Sequence, residues 1–582
     1  MDSRLAVQGT KIGKISEGTD ISGIEDRISN LPDAVLCHIL SFLPTKTVVQ
    51  TSPLAKRWKY LWVSVPNIDL DLYLPKNYMG NREDIESFLE VYMNSFMTFI
   101  ERYFVLRENL CIKKFRLSSY FKIDFSRFYS WVCAVITCNV RELHLALATY
   151  EIGELPWSLF TCKTLVVLKI DGEFIFNVPH YVCLPNLKTL RLNSLIYLDD
   201  ELIQKFLSSC PALEDLEIRR PGWDNLWTLD ISVPSLKRLT LVLSIHELEL
   251  YYEAGFKYKI MVNAPNLEYL DFCDTVSDYI SVGGLPSVVE ARVDIHKSFK
   301  AWNQGEQTKY GDRASGLLRS ISNVGHLSLT GNTLRCLSYC APNLATYRNL
   351  VHLELGFDPF NGPLLLLDLL QSSPKLEILV FPEGLTVPDD REYDINRRLG
   401  FEYHWSPPER VPECLLLSLK TIEIHRFFGD VKDELNLVKY LLKNGMVLEK
   451  MTILCSYYDF VGDNSFSFKD ELENYPRGSN NCNLRLCVPY PGATPENAPR
   501  GSKKFPKRAK IQVSRNHIAT WSPRRAVSDT IRSPDKEDHL LWAVSDTIRS
   551  PDKEDHLLSF KPLDTQDDYG QLGQCRNTPF GS

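Results

Sequence analysis

The 582-residue sequence contains no run approaching the ~20 consecutive apolar residues that a bilayer-spanning helix needs, so an integral membrane protein is not expected. Its opening, MDSRLAVQGTKIGKISEG, lacks the apolar segment and small-residue cleavage site of a secretory leader, which points to an intracellular protein of the nucleus, the cytoplasm or both. Cysteine pairs with metal-ligand spacing are missing. The closest, Cys133/Cys138, Cys336/Cys340 and Cys482/Cys487, have no two-residue spacing and no matching second pair, so no structural zinc is expected. In a reducing compartment the fifteen cysteines read as small buried hydrophobes and not as a disulfide framework. A Gly-rich phosphate loop and a G-x-S-x-G elbow are absent. HELEL at 246–250 begins like a metalloprotease helix but carries Leu250 where the second histidine would stand. Catalytic residues, cofactor and metal are therefore not expected. Neither sign of charge dominates: 66 Lys and Arg against 73 Asp and Glu leave a net charge of −7, which excludes a general polyanion binder. With 44% apolar and 24% charged residues, the chain is neither disordered throughout nor a fibrous rod.

What is present falls into segments. Residues 1–23 are polar and aperiodic, the composition of a flexible lead-in. From Arg27 the sequence predicts three short helices. The first starts near Pro32, with Asp33 at the positive end of its dipole and Val35, Leu36, Ile39, Leu40 and Leu43 on one apolar face, and stops at Pro44. Thr45 is placed to cap a second helix carrying Val48 and Val49. Ser52 and Pro53 open a third, with Leu54, Trp58, Leu61 and Trp62 on one face. A unit of about 40 residues rarely buries enough surface to fold alone. Part of its apolar surface must be completed by something else, either the rest of the chain or a partner protein, and the pattern favours neither.

Next comes a repeat. The template apolar-x-x-apolar-x-apolar occurs eleven times from Ile112 to Phe381, about every 26 residues, and six copies follow a proline at 185, 211, 234, 265, 286 or 374. Between strands, DDELIQKFLSSC places Leu202, Phe206 and Leu207 at helical spacing. Alternating strand and helix at this period predicts a leucine-rich-repeat solenoid, an irregular α/β stack of parallel strands, with bulged loops near 244–262 and 296–316. Two further copies, Leu419–Ile424 and Leu448–Ile453, flank ELNLVKYLLKNG. That segment reads as a helix with Leu435, Val438, Leu441 and Leu442 inward and Gly445 as a left-handed C-cap. This module closes the stack. Beyond about 490 a Pro/Gly/Lys-rich tail contains AVSDTIRSPDKEDHLL twice, at 526–541 and 543–558. It is expected to be poorly ordered, with KKFPKRAK more simply a solvated basic run than an import signal.

The dense runs LPDAVLCHILSFLPTK and KRWKYLW, followed by the repeats and then by VPECLLLSLKTIEI and ELNLVKYLLKNGMVLEKMTI, resemble the plant F-box/FBD/leucine-rich-repeat proteins over residues 24 to about 480. The resemblance implies an F-box over 24–70, a repeat solenoid over 104–400, an FBD module over 405–480 and an unmatched tail over 490–582. Pro53 and Ala55 depart from the F-box pattern, where an aliphatic and a serine more often precede Lys-Arg-Trp. The resemblance also implies a non-enzymatic substrate receptor of a cullin-based ubiquitin ligase that docks a Skp-family adaptor. Leu31, Pro32, Leu36, Ile39, Leu40, Leu43, Val48 and Trp58 are carried over as the adaptor-binding candidates. For each the alternative is plain intramolecular core, and Leu31 and Pro32 lie outside the apolar stripe. A target protein would meet the outward positions of the strands, for which Arg191, Asp215, Glu217, Arg219, Tyr269, Asp271, Glu290 and Arg292 are candidates. Their mixed charge favours a protein over nucleic acid, since phosphate binding wants one sign. A repeat scaffold outside any ligase is the second reading, and a ligand-assisted sensor the third.

Overall fold

Every copy of the repeat template forms a strand, because alternate side chains of a strand face opposite sides and the two apolar residues closing the template then point together into one interior. The computed structural model describes residues 28, 30–72, 82–107, 111–121, 123–147, 153–220, 226–243, 258–275, 277–295, 304–339, 344–356, 362–385, 405, 407–427, 432–455 and 467–487. The expected lead-in 1–23 and tail 490–582 lie outside the described residues. The chain divides into two units, one of residues 1–80 and 103–526, the other of 81–102 and 527–582. Of the second, the described part is residues 82–102 of the helix Arg82–Leu106.

The first unit is built on a 15-stranded parallel sheet whose strands follow chain order. The thirteen template copies supply strands from Lys114–Ser119 to Lys450–Cys455. Two end strands, Asn67–Leu72 and Asn483–Cys487, were not expected. The register stacks like on like: Leu143, Leu168, Leu190 and Leu216 are successive neighbours, and so are Leu145, Ile170, Leu192 and Ile218, all essentially without solvent exposure. These apolar ladders run the length of the sheet and make its core.

The prolines explain the entry to each strand. Leu187, Leu213, Leu236, Leu267, Val288 and Leu376 each donate their backbone N–H to the carbonyl three residues back, closing a turn with the proline at its second position. Proline's fixed φ is pre-set for that position. The residue after the proline often ties one turn to the preceding one: Asn186 to the Lys163 carbonyl (2.8 Å), Ser235 to Leu213 (2.8 Å), Asn266 to Pro234 (2.9 Å) and Ser287 to Pro265 (2.9 Å).

Helices return the chain between strands. Asp200–Ser208 is capped by Asp199, whose carboxylate accepts the Leu202 N–H at 2.9 Å, and it buries Ile203, Phe206 and Leu207. Leu202, at helical spacing with Phe206, is half-buried. Two three-stranded parallel sheets also occur: Gly153–Glu154, Phe174–Phe176 and Ile196–Tyr197 form one, Thr228–Ser232, Tyr258–Asn263 and Ser277–Val282 the other. The loop expected near 244–262 is thus corrected at its end to a strand, with Tyr258, Ile260 and Val262 buried in alternation. The loop expected near 296–316 is corrected to the helix Gln304–Ser320, which buries Tyr310, Ala314, Leu317 and Leu318 at helical spacing. In both cases the loop expectation came from an uneven repeat period, which says nothing of what fills a gap. Residues 244–257 and 296–303 lie outside the described residues.

In the closing module the helix is Lys432–Asn444. Leu437 is buried with Val438, Leu441 and Leu442, whereas Leu435 is half-buried. Gly445 is not left-handed. A Cβ there would lie 2.9 Å from the Leu441 carbonyl oxygen and 3.1 Å from Leu448 Cβ, so close approach and not φ calls for glycine.

Candidate functional site

The N-terminal helices divide their apolar residues into a hidden set and an open set. Pro32 caps the helix Asp33–Leu40, and Asp33 in its first turn receives Arg57 at 2.7 Å. Leu36 and Leu40 turn inward to join Val48, Val49, Trp58, Leu61 and Trp62 as buried residues of this segment. Trp62 donates its indole N–H to the Lys59 carbonyl at 2.9 Å and lies 5.6 Å from the Tyr103 ring. The single apolar face expected for the first helix is corrected to two faces, because its neighbours cover only Leu36 and Leu40. Val35 (41% exposed) and Ile39 (44%), one turn apart, stay in solvent, followed by Phe42 (75%) and Leu43 (40%). The third helix is corrected as well: it is a 3-10 helix over Lys56–Ser64, so Ser52 and Pro53 fall in the preceding turn and Leu54 is exposed. Thr45 is the first residue of the helix Thr45–Gln50 and not its cap. Its hydroxyl instead accepts the backbone N–H of Asp69 at 2.7 Å.

Of the eight adaptor-docking candidates, Leu36, Leu40, Val48 and Trp58 are therefore interior and offer no surface. Leu31 is half-buried, and Pro32, Ile39 and Leu43 are exposed. Sequence reasoning placed Val35 on the stripe but not among the candidates, and it passed over Phe42. The signal for both was the i, i+4 and i+7 spacing Val35–Ile39–Phe42.

Arg107 was also missed. Buried at 3% exposure, it donates to the carbonyls of Val65 (2.7 Å) and Cys111 (2.9 Å) and to the Tyr103 hydroxyl. Burial pushes the Tyr103 phenol up to about 12, although the guanidinium beside it pulls the other way.

The eight target candidates lie on one band of the sheet's outward face. Arg191, Glu217, Asp271 and Arg292 belong to a single row in register, with Thr240 between Glu217 and Asp271. Asp215, Tyr269 and Glu290 belong to the adjacent row, with Arg238 between Asp215 and Tyr269. Arg219 stands two residues beyond Glu217. Glu217 is shared by Arg191 (3.3 Å) and Arg219 (2.6 Å), and Arg238 lies over the Tyr269 ring at 4.2 Å. Burial raises the carboxyls of Asp215 and Asp271 while Arg191 and Arg292, respectively, oppose it. Glu290 and Arg292 line a shallow open groove with His326, Ser328, His352 and Glu354. The His326 and His352 rings are 5.3 Å apart, and the His352 imidazole, with Nε2 3.5 Å from the Glu354 carboxylate, holds that carboxyl low. Such a surface offers paired charges and ring faces to a polar polypeptide. Among the described residues no group of His, Cys, Asp and Glu is arranged to hold a metal ion, and no helix is long and apolar enough to cross a membrane.

Three segments of the chain match known protein families. Residues 28–69 match the F-box domain, 128–288 match the leucine-rich repeats described for the FBD-associated F-box protein At5g56370, and 407–453 match the FBD domain. The chain is 34% identical over 448 residues to the F-box/LRR-repeat protein At4g14096 of Arabidopsis thaliana, covering 76% of this chain and 89% of the relative. It is 32% identical to the F-box/FBD/LRR-repeat protein At5g56420 of the same plant, covering 79% and 98%.

Proposed function

Because the chain belongs to the plant F-box/FBD/LRR-repeat family, we propose that it is the substrate-recognition subunit of a cullin-based ubiquitin ligase and performs no catalysis itself. In this reading the F-box over 24–70 docks a Skp-family adaptor and, through it, the cullin. The solenoid over 104–400, closed by the FBD module over 405–480, holds a target protein on its outward strand face. Nucleic acid and membrane have no part in it.

The open stripe carries the proposal. A small helical unit that has already buried both its tryptophans still exposes Val35, Ile39, Phe42 and Leu43 from one short segment. Large side chains clustered this way on a surface mark an interaction site. Within the stripe the docking contacts fall to Ile39 and Leu43, with Leu31 and Pro32 beside them. Leu36, Leu40, Val48 and Trp58 support it from below.

Co-purification of the full chain with a Skp-type adaptor tests this. Leu31→Asp and Ile39→Asp are expected to abolish capture while the circular dichroism spectrum is unchanged. Capture retained by both variants would rule the reading out.

One observation favours the rival reading, in which the helical unit only caps the sheet: Thr45 is hydrogen-bonded to the first strand at Asp69. That reading expects no adaptor binding by the wild type and protection of residues 24–65 from protease in the isolated chain.

A further inference from the structure

The two ends of the 15-stranded sheet are finished differently. At the first, the strand Asn67–Leu72 is covered: Thr45 accepts its Asp69 N–H, and Ile68, Leu70 and Leu72 are buried. At the last, the strand Asn483–Cys487 pairs on one side with Lys450–Cys455, and its other edge has no strand partner among the described residues. The apolar ladders are left incomplete there. Met451 and Ile453 are wholly buried, whereas Leu484 and Leu486, next to them in register, are only half-buried. An uncovered edge leaves backbone donors and acceptors open to any extended chain, and a repeat stack needs a polar unit over its last apolar face.

One stretch of the tail has the pattern of such a unit. Strands of the stack are entered through apolar-Pro-x-apolar-x-x-apolar-x-apolar, as in LPNLKTLRL (184–192), VPSLKRLTL (233–241) and APNLEYLDF (264–272). FPKRAKIQV at 505–513, outside the described residues, repeats it with one departure, Arg508 in place of the second apolar residue. The spacing fits as well. Residues 488–509 are as many as residues 428–449, which connect Thr421–Phe427 to Lys450–Cys455, and a parallel crossover needs only about a dozen.

We propose that residues 510–514 of this chain add a sixteenth parallel strand to the open edge of Asn483–Cys487 and close the stack. In that register Ile511 continues the ladder through Leu484, and Val513 the one through Leu486. Lys510, Gln512 and Ser514 come beside Asn483, Arg485 and Cys487, so no like charges are opposed. Lys507, Arg508 and Lys510 then lie on or beside the new outer strand, and charge there is what keeps an end strand from pairing further. A second copy of the chain is a poorer occupant. Two such edges meeting about a two-fold axis, centred on the five-residue strand, would set Arg485 against its own counterpart. The tail is also tethered to the edge it covers, which gives it the advantage of high effective concentration. The proposal is independent of what the outward face or the N-terminal helices bind.

Hydrogen exchange on the full chain tests this. In the wild type the amides of 510–514 and of 483–487 are expected to exchange at least about tenfold more slowly than those of an unstructured chain. Ile511→Asp combined with Val513→Asp is expected to speed exchange in both segments by at least about tenfold, with 421–427 unchanged as the sign that the sheet remains folded. A cross-link reads the register separately. Cys487 is free and exposed, and neighbouring strands lie about 4.8 Å apart, within reach of a disulfide. In Ser514→Cys, mild oxidation is therefore expected to join position 514 to Cys487 within one molecule, at least about tenfold faster than position 519 is joined in Ala519→Cys. Unstructured exchange at 510–514, unchanged exchange at 483–487 in the double variant, equal cross-linking of the two cysteine variants, or protection of 483–487 that is lost on dilution as a two-copy interface would be, would each overturn the proposal.

Discussion

Thr45 Oγ1 accepts the backbone N–H of Asp69 at 2.7 Å, and this bond ties the second N-terminal helix to the first strand of the 15-stranded sheet. Asn67 on the same strand reaches back to the Ser41 carbonyl at 3.1 Å, and Arg107 holds Val65 just ahead of it. The helical unit and the solenoid share a strand, so an adaptor seated on Ile39 would be registered to the target face through hydrogen-bonded backbone and not through a slack linker.

Replacing Thr45 therefore bears on that coupling. Thr45 is 6% exposed, and Thr45→Val keeps its shape while orphaning the Asp69 N–H. The expected loss is about 1–3 kcal/mol, read from urea unfolding, with Thr45→Ser restoring most of it. Limited proteolysis should then cut first within residues 33–64. An unchanged cleavage pattern would mean that the sheet holds the helices by packing alone.

Leu36 and Ile39 separate packing from docking. Leu36 is fully buried, so Leu36→Ala is expected to cost about 2–5 kcal/mol through the cavity it leaves. Ile39 is 44% exposed, and Ile39→Ala should change stability by less than about 1 kcal/mol while weakening adaptor capture. Denaturation midpoints and pull-downs on the two variants should thus rank them in opposite orders. The same rank in both assays would contradict the division of the stripe.

The contrast between these two residues also shows how much of the site was legible in the sequence. Helical periodicity placed Leu36 and Ile39 on one stripe, but which half of a stripe is covered depends on what packs against it, and that information sits in distant residues such as Trp58 and Leu61. The repeat was more legible, because each strand carries its own pattern and needs only an equivalent neighbour. Even there, Val65-x-x-Ile68-x-Leu70 fits the template and went unread as a strand, hidden inside the F-box pattern. Asn483–Cys487 was missed for the opposite reason: Asn481 stands where the first apolar residue should be. The cations around His144 could not be seen in the sequence, because Lys114, His144 and Lys169 are separated by more than twenty residues each and meet only through the register.

The ladder of turns gives a third expectation. Asn266 Nδ2 donates to the Pro234 carbonyl at 2.9 Å and links two consecutive turns. Asn266→Ala removes one exposed link and should cost about 0.5–1.5 kcal/mol. Asn186 spans a different pair of turns, to the Lys163 carbonyl, so Asn186→Ala combined with Asn266→Ala should be nearly additive. Unfolding midpoints of the two single variants and the double variant measure this, and a strongly non-additive result would show that distant turns melt as one element.

His144 supplies the pH dependence. Its imidazole is held down to about 4 in the folded chain, while in the unfolded chain it titrates near its ordinary value of about 6.5. Between those values the unfolded state binds the proton and the folded state does not, so stability falls as pH drops through that window. Below it both states are protonated and the loss is complete. The groups facing the imidazole are Lys114, Arg116, Lys169 and Arg191, with Glu142 on its own strand. The cations outnumber the one carboxylate, so the sign is secure. Asp215 and Asp271, raised by burial, act in the opposite direction in a window that runs upward from 3.8, but they are the same in wild type and variant and cancel from the comparison. His144→Gln keeps a neutral polar group of similar length and removes the titration. Thermal melts at constant ionic strength should show the variant gaining on the wild type as pH falls from 7.5 to 5, with the difference largest at pH 5. Parallel pH profiles for the two proteins would mean that the cations surrounding His144 are already neutralised.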